Sequence, residues 1–489
     1  MRLMIAGGGG FRVPLVYRAL ASGPFTGLVS DLVLFDVDPA RLGAIGAVLR
    51  AMPLSDSPAP DGGASAGARP PEVRTTTSLP DALRGADMVF AAIRPGGTAG
   101  RIADERVAQD LGLLGQETTG AGGISYALRT IPEMLHLARQ MQQLCPDAWL
   151  INFTNPAGMV TEALVPVLGR KVVGICDSAG GLAHRAARAA GLSLADGRLD
   201  GVGYYGLNHL GWLYRLESGG RDLLPGLLAD PAALASFEEG RLFPQPFLAE
   251  LGALPNEYLY YYYQRDGAAA AMGAMAATRG ESIHRQQSDL YPRLASSGAD
   301  AYRLWDAARR SREEGYLAEA RTHGEQRDEA DLADGGYERV ALAVMRALAG
   351  GSAGGPGASS GECGTQLILN TPNTLPTSPA QATTAGEAPP MAAIPGLPAD
   401  AVVEVPCTVM PDGAVPLPQS APGPEQLALL RRVKEVEQLT VRAATLGDRG
   451  AAVDAFSRHP LVDSGQLGAA LLEGYERAFP ALGALWRQE

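Results

Sequence analysis

The chain has 489 residues, too many for one hydrophobic core, which predicts two domains. Hydrophobic residues make up 46% and charged residues 19%, as in folded soluble proteins. The net charge of −12 argues against a nucleic acid or an anionic membrane as the main partner.

The N-terminus begins "MRLMIAGGGG", whose apolar stretch is too short for a signal peptide. No apolar run of about 18 residues occurs, so we expect no membrane span and a cytoplasmic protein. The four cysteines, Cys145, Cys176, Cys363 and Cys407, form no CxxC pair and are expected to be thiols.

The first half of the chain alternates apolar strands with helical patterns. Strands are predicted at "RLMIAG", "DLVLFDVD", "ADMVFAAI", "AWLINF" and "KVVGIC", with helices such as "ALRTIPEMLHLARQMQQL" between them. Such continuous apolar strands are typical of a parallel sheet covered on both faces. We predict an α/β fold, with a doubly wound, Rossmann-like NAD-binding domain over residues 1–198 and a mixed α+β domain over residues 199–489.

Two stretches are rich in Gly, Pro, Ala, Ser and Thr: Ser55 to Pro71 and much of Gly350 to Ala393. Segments of this composition bury too little apolar surface to order themselves. We expect mobile surface loops there, without a catalytic role. The C-terminal part is expected to end in two helical stretches.

A glycine cluster follows the first strand in "IAGGGGFRVPLV", and a helix is expected after it. Glycines let a backbone approach a pyrophosphate, and a helix N-terminus favours its charge. Asp36 ends the next strand, where an acid would bond the ribose hydroxyls of NAD and disfavour the phosphorylated cofactor. A glycine-rich turn without a ligand is the alternative.

Several polar residues lie where predicted strands end or turn. Cys176 and Asp177 follow a strand in "GICDSAGG", and His209 lies in "YYGLNHLGW". A thiolate and an imidazole can share a divalent metal, although a buried Cys and a core His are the alternative. In "INFTNPAG", Asn152 and Asn155 could contact a hydroxylated ligand or form an ordinary turn.

The stretch "LPNEYLYYYYQRDG" places five tyrosines in six positions. The pattern alone permits a hydrophobic strand, an adhesive surface or a catalytic tyrosine. No GxSxG, P-loop or HExxH motif occurs, and no carboxylate pair is marked out for ordinary glycoside hydrolysis.

Taken together, these segments resemble glycoside hydrolase family 4, the NAD- and metal-dependent glycosidases. The matching segments occur in family order from residue 5 to residue 462 and include "IAGGGGF", "GLLGQETTGAGG", "INFTNPAGMVTEA", "VVGICDS", "YYGLNHLGW", "LPNEYLYYY", "LILNT" and "VVEVPC". Within this family, the sequence looks most like 6-phospho-β-glucosidases. The resemblance implies a sheet like that of lactate and malate dehydrogenases, a phosphorylated small-molecule substrate and a homodimer or homotetramer.

The resemblance also implies a role for individual residues. These are Cys176 and His209 as ligands of a metal, usually manganese; Tyr258 as the catalytic base; Asp177 as a proton donor; Glu117 as the acid that raises the basicity of the tyrosine; Arg94, Asn155 and Arg279 as substrate-binding residues; and Gly7, Gly8, Gly9, Gly10, Phe11 and Asp36 around NAD. The other four tyrosines are expected to build the wall beneath Tyr258.

The implied reaction uses both cofactors. NAD⁺ takes a hydride from C3 of the sugar, the metal polarises the oxygens at C2 and C3, and Tyr258 removes the C2 proton. The aglycone then leaves C1, water adds, and the hydride returns.

The sequence also departs from the family pattern. Gly10 and "FRVP" replace the usual residues after the first strand, and Asp177 looks more like α-glycosidase members. An α-glycosidase, α-galactosidase or uronidase with the same mechanism is therefore an alternative. A plain NAD-dependent dehydrogenase and a non-catalytic sugar-responsive protein are further alternatives.

Overall fold

The computed structural model describes residues 1–23, 25–54, 69–315, 336–350, 364–376 and 391–486. Most of both predicted loop stretches lies outside these residues, including Thr383 to Pro389, and so does Cys363. Within the described ranges, no helix has both the length and the apolar character that crossing a membrane requires.

A mixed sheet runs through the described residues. Its strands are β1 (Arg2–Ala6), β2 (Asp31–Phe35), β3 (Glu72–Thr76), β4 (Met88–Ala91), β5 (Trp149–Asn152), β6 (Val172–Gly174), β7 (Val202–Leu207), β8 (Leu210–Ser218), β9 (Arg221–Asp222), β10 (Leu254–Pro255), β11 (Thr365–Pro372), β12 (Val402–Met410) and β13 (Gly413–Pro416). Their order is β10-β8-β7-β12-β11-β6-β5-β4-β1-β2-β3, and β13 pairs with β12 while β9 pairs with β8.

Helices connect the strands and cover both faces of the sheet. The described α-helices are Val13–Ser22, Pro39–Ala51, Leu79–Leu83, Gly97–Asp110, Ala121–Leu144, Ala157–Leu168, Ser178–Ala189, Leu224–Leu228, Pro231–Leu234, Glu238–Leu242, Gln245–Leu251, Tyr260–Tyr263, Arg265–Ala274, Arg279–Ser296, Ala301–Glu314, Tyr337–Leu348, Pro424–Leu446, Arg449–Arg458, Gly465–Ala478 and Leu482–Leu485. Short 3₁₀ turns occur at Gly169–Lys171, Glu257–Leu259 and Gly298–Asp300.

The N-terminal strands form the predicted doubly wound sheet. Strands β3, β2, β1, β4, β5 and β6 are neighbours in that order and pair in parallel. This is the Rossmann order, so the fold prediction is confirmed. Successive residues of β1 point to opposite faces, and both faces are buried: Leu3 and Ile5 pack in one apolar cluster, Met4 and Ala6 in the other.

The sheet continues beyond β6 with antiparallel strands. Asn370 of β11 pairs with Gly174 of β6, and β12, β7 and β8 follow. Strand β11 lies within Gly350 to Ala393, much of which is expected to be loop. The apolar residues Ile368 and Leu369 are buried, which offsets the low-complexity composition around them. The sheet thus crosses residue 198, and the predicted domain boundary stays a prediction.

The C-terminal helices close the second face of the N-terminal sheet. Helix Pro424–Leu446 packs against helices Ala121–Leu144 and Ala157–Leu168. The predicted helical C-terminus is therefore present. Helix Ala121–Leu144 begins six residues before the predicted one, within the glycine-rich segment "TGAGG". A Cβ on Gly122 would lie 2.1 Å from the carbonyl oxygen of Gln116, so this close approach requires glycine.

Candidate active site

A cavity of about 1680 Å³ opens at the carboxyl ends of the parallel strands. Ligands of open α/β sheets bind at this edge, where the strand order reverses. The predicted site residues that line this cavity are Gly7, Gly10, Phe11, Asp36, Arg94, Glu117, Asn155, Cys176, Asp177, His209, Tyr258 and Arg279. Residues far apart in sequence thus face a common space.

The glycine-rich loop is shaped by close backbone contacts. Gly7 has a φ of +89°, and a Cβ there would lie 2.6 Å from the carbonyl oxygen of Ala92. A Cβ on Gly8 would lie 2.6 Å from the Cβ of Leu34, so Gly8 packs against the sheet and does not face the cavity. The carboxylate of Asp36 accepts the amide of Gly9 at 2.9 Å. Loop and acid are therefore held together, as dinucleotide binding requires.

His209 and Tyr258 form a stacked pair, with ring centroids 3.7 Å apart and an angle of 8° between the rings. His209 lies in the turn between β7 and β8 with a φ of 65°, a left-handed conformation that is uncommon for a non-glycine residue. Burial lowers the pKa of His209 to about 3, so the imidazole is neutral near pH 7. Its buried Nδ1 has no hydrogen-bond partner among the described residues. A neutral imidazole with an open nitrogen suits a metal ligand.

Cys176 lies buried just after β6. Burial, followed by the charges of Glu404 and Asp177, raises the pKa of its thiol well above the usual value. A metal would have to displace this proton to bind the sulfur. Among the described residues, no three His, Cys, Asp or Glu side chains are grouped to hold a metal. The Cys176 and His209 pair therefore fits a site that takes its remaining ligands from outside the chain.

A buried carboxylate on β12 organises the residues behind this pair. Glu404 is 1% exposed and accepts hydrogen bonds from Tyr204 Oη at 3.0 Å, Asn370 Nδ2 at 3.1 Å and Asn208 Nδ2 at 3.4 Å. Burial raises its pKa to about 7, and these hydrogen bonds oppose the shift. Because Asn208 precedes His209, the network fixes the turn that carries the imidazole.

Glu117 is paired with two arginines. Its carboxylate lies 2.6 Å from Arg94 Nη2 and 2.6 Å from Arg101 Nη1. Although burial alone would raise the pKa of Glu117, the two guanidinium groups lower it to about 2. The carboxylate is therefore ionised and neutralised by its partners. Its predicted influence on Tyr258 stays a prediction.

The predicted substrate-binding residues differ in what they offer to the cavity. Arg94 Nη1 and Asn155 Oδ1 are buried without a hydrogen-bond partner in the part of the chain that the structure describes. Arg279 donates to the carbonyl oxygens of Gly315 and Arg312. The suggestion that Asn152 contacts a ligand was wrong: its side chain is fully buried and accepts the amide of Thr154 at 3.0 Å.

Further arginines cluster around Arg312 in one part of the cavity. Burial and then the charges of Arg12, Arg101 and Arg279 lower the pKa of Arg312 well below its usual value. The Arg312 guanidinium lies 5.1 Å from the centre of the Phe11 ring. Confined like charges repel, so an anion in this space would stabilise the cluster.

Two family models match most of the chain. The model of the family 4 glycosyl hydrolases matches residues 4–192, and the model of their C-terminal domain matches residues 204–462. The chain belongs to family 4 of the glycosyl hydrolases. The C-terminal match begins close to the predicted domain boundary.

Relatives of this family 4 chain include enzymes named for either anomer. It is 33% identical over 234 residues to a 6-phospho-beta-glucosidase of Escherichia coli, covering 45% of this chain and 51% of that one. It is 35% identical over 215 residues to a 6-phospho-alpha-glucosidase of Lacticaseibacillus paracasei, covering 40% and 47%. The chain spans about half the length of the curated relatives it matches.

A solved structure matches the fold along the whole chain. The 6-phospho-beta glucosidase of Thermotoga maritima, solved with manganese, NAD⁺ and glucose-6-phosphate, superposes with a TM-score of 0.74. The match covers 99% of each chain at 23% sequence identity. At this identity, the likeness establishes the shared fold.

Two tyrosines of the run in this family 4 protein, Tyr258 and Tyr261, line the cavity. Tyr258 lies in a 3₁₀ turn at the cavity, and the other four form the short helix Tyr260–Tyr263. Tyr262 Oη lies 3.4 Å from His459 Nε2, and Tyr263 Oη accepts Trp212 Nε1 at 3.1 Å.

Sequence reasoning missed Arg101, Arg312 and Glu404 as residues of the site. A signal existed for two of them. A single glutamate within the apolar strand "VVEVPC" indicates a buried polar network, and Arg101 is followed by Glu105 at helical spacing. No local pattern marks Arg312.

Proposed function

We propose that this protein is a glycosidase that hydrolyses 6-phosphoglucosides and uses NAD and a divalent metal. Manganese is the metal that we expect it to use. The observation that carries the proposal is that the dinucleotide loop, Cys176, His209 and Tyr258 face a common cavity. A redox cofactor site and a metal site have no joint purpose in two-carboxylate hydrolysis, whereas an oxidation and elimination mechanism needs both.

The arginine cluster around Arg312 supports a phosphorylated substrate. The charges of Arg12, Arg101 and Arg279 all act on Arg312, and Glu117 opposes them. Arginine is well suited to phosphate because its guanidinium presents several donors in a fixed plane. A sugar phosphate would supply the anion that this cluster lacks.

Of the two anomers, we propose the 6-phospho-β-glucosides as substrates. The second candidate is a 6-phospho-α-glucoside, which is favoured by the acid at position 177 directly after Cys176. An unphosphorylated galactoside would leave the arginine cluster without an anion, whereas a uronide would bring a carboxylate in place of the phosphate.

The proposed mechanism assigns proton transfers to residues of this chain. When bound, NAD would supply an acceptor for the hydride of C3 and would return that hydride after water has added, and the metal on Cys176 and His209 would supply a Lewis acid for the sugar oxygens. Tyr258 takes the proton from C2, and the C1–O bond to the aglycone breaks. Asp177 donates a proton to the departing oxygen, water adds at C1, and a proton returns to C2.

The position of Tyr258 fits the role of base. An ordinary tyrosine has a pKa near 10 and is a poor base at neutral pH. A cation close to the phenol would favour the phenolate, and a metal held by His209 would lie near Tyr258 because the two rings stack. Glu117 lies at the same cavity, and its ion pairs with Arg94 and Arg101 keep its carboxylate ionised.

A panel of chromogenic α- and β-glucosides, with and without a 6-phosphate, tests the proposal in the presence of NAD⁺, Mn²⁺ and a thiol reductant. Release of the chromophore from the 6-phospho-β-glucoside, without net accumulation of NADH, is the expected result. Accumulation of NADH in step with substrate consumption would instead indicate a plain dehydrogenase. Turnover restricted to the α-anomer would favour the second candidate, and inactivity on every glycoside would overturn the proposal.

A further inference from the structure

Three aromatic side chains from the C-terminal part of the chain hold the glycine-rich loop by its carbonyl groups. Tyr291 Oη donates to Gly9 O at 2.8 Å, Trp305 Nε1 donates to Phe11 O at 2.8 Å, and Tyr337 Oη donates to Arg12 O at 2.9 Å. We call Tyr291, Trp305 and Tyr337 the aromatic clamp. Its members come from three helices, Arg279–Ser296, Ala301–Glu314 and Tyr337–Leu348.

The clamp residues are rigidly placed. All three are buried, and Trp305 is fully so. The Tyr337 ring stacks on Phe153 with centroids 4.2 Å apart and planes at 10°, and Trp305 packs against the Phe11 ring at 6.1 Å. Donors that are fixed by packing lose little conformational freedom when they form hydrogen bonds.

Most amides of the loop donate to acceptors within the loop, to Phe35 O at the end of β2 or to the Asp36 carboxylate. Gly10 N–H donates to Gly7 O at 2.9 Å, and Val13 N–H donates to Gly10 O at 3.1 Å. The amides of Phe11 and Arg12, which line the cavity, donate to no acceptor among the described residues. These two amides precede helix Val13–Ser22, where an anion is favoured by the helix dipole.

Trp305 determines the direction of one of these open amides. A trans peptide is planar, so its C=O and N–H point to opposite sides. The bond from Trp305 Nε1 to Phe11 O therefore also fixes the N–H of Arg12 within the same peptide plane. Tyr337 holds the carbonyl of the next peptide, whose N–H belongs to Val13 and donates to Gly10 O, and the same carbonyl also accepts the amide of Leu15 at 3.0 Å. Tyr337 therefore supports the end of the loop next to the open amide of Arg12.

We propose that the aromatic clamp positions the loop so that the amides of Phe11 and Arg12 bind the pyrophosphate of the dinucleotide. Its members are positioning residues, which act on cofactor affinity and take no part in the chemistry. The inference rests on the proposed function in taking NAD as the ligand. It makes the C-terminal part of the chain a determinant of cofactor binding, although the loop itself belongs to the N-terminal sheet.

The test measures NAD⁺ and ADP-ribose binding to the full chain by isothermal titration calorimetry. Tyr337→Phe deletes only the hydroxyl, and Trp305→Phe deletes the N–H while keeping an aromatic ring. Each is expected to raise the Kd of both ligands about five- to tenfold, the usual size of one lost hydrogen bond. Tyr291→Phe is less clean, because its hydroxyl also accepts Arg41 Nη2 at 2.7 Å.

Tyr475→Phe is the matched control. Its hydroxyl is equally buried and donates to a backbone carbonyl, that of Asp104, at 2.9 Å, but it does not contact the loop. This variant should keep the wild-type Kd within about twofold. In turnover assays, Tyr337→Phe should raise the KM for NAD⁺ and leave kcat at saturating NAD⁺ unchanged.

The outcomes separate the clamp from the proposed function. If the wild type binds NAD⁺ but Tyr337→Phe and Trp305→Phe bind it equally well, the clamp proposal is wrong and the proposed function stands. An equal loss of NAD⁺ affinity in Tyr475→Phe would also overturn the clamp proposal, because the effect would then reflect general destabilisation. A wild type that binds neither NAD⁺ nor ADP-ribose would overturn both.

Discussion

The imidazole of His209 lies flat against the phenol ring of Tyr258, with centroids 3.7 Å apart and an angle of 8° between the rings. The two residues come from different elements, the β7–β8 turn and the 3₁₀ turn Glu257–Leu259. Their contact couples the proposed metal ligand to the proposed base, so a cation bound by His209 would act directly on the phenol.

Tyr258→Phe should lower kcat by about 10² to 10⁴, the usual effect of removing a positioned base. The ring remains, so its stacking on His209 should survive. Tyr260→Phe is the matched control within the same run and should cost much less, as should the equivalent changes at Tyr261, Tyr262 and Tyr263. A second measurement follows deuterium uptake at C2 of the product in D₂O. Wild-type turnover by Tyr258→Phe, or no deuterium at C2 with wild type, would contradict the elimination mechanism.

Activity should require both a divalent metal and a reductant. Cys176 binds the metal as a thiolate, and without a reductant this thiolate oxidises. Burial raises the pKa of the Cys176 thiol, so metal binding must release a proton. The Kd for Mn²⁺ should therefore fall as pH rises, by about tenfold per pH unit while the free thiol is protonated. Cys176→Ser should lose Mn²⁺ binding, whereas Cys407→Ser, buried in β12, serves as the control. Full activity of a chelated, oxidised sample would reject this role.

Asp36 should select NAD⁺ over NADP⁺, because its carboxylate would bond the ribose hydroxyls and repel a 2′-phosphate. Titration of wild type with both cofactors should show tighter binding of NAD⁺, and Asp36→Ala should reduce the difference. Asp31→Ala, at the opposite end of β2 and paired with Arg74 on the surface, is the control. Equal affinity of wild type for both cofactors would show that another residue sets the preference.

Glu404 should make stability fall as pH rises. Burial raises its pKa from an ordinary value of 4.5 to about 7 in the folded chain. The folded state therefore binds the carboxyl proton of Glu404 more tightly than the unfolded state does. The contribution of Glu404 to the free energy of unfolding is full below about pH 4.5 and is lost as pH rises through 7. The loss is on the order of 3 kcal/mol. Glu257, whose pKa burial also raises to about 7, should add to it.

Glu404→Gln tests this directly, because glutamine has nearly the same shape and carries no charge. Urea denaturation of the metal-free protein at pH 5 and pH 8 should show a smaller stability difference in the variant than in wild type. Glu72→Gln, an exposed residue at the start of β3, should keep the wild-type difference. An unchanged pH dependence in Glu404→Gln would mean that Glu404 is ionised at both pH values.

The sequence by itself determined five of the six parallel strands, all but β3, and the chemical inventory of the site. The apolar strands, the glycine-rich turn before Val13–Ser22 and the acid after β2 follow from local patterns, since each depends on neighbouring residues alone. The resemblance then singled out Cys176, His209 and Tyr258, all of which line the cavity.

Only the tertiary structure decided which charges meet and what holds the site from behind. Glu117 became part of an ion-pair cluster because Arg94 and Arg101 approach it from a different segment. Strand β11 entered the middle of the sheet, where it brings Asn370 to Glu404 behind His209. The aromatic clamp joins residues about 280 to 325 positions apart. Such contacts depend on strand order and helix packing, which the hydrophobic period of a single segment does not encode.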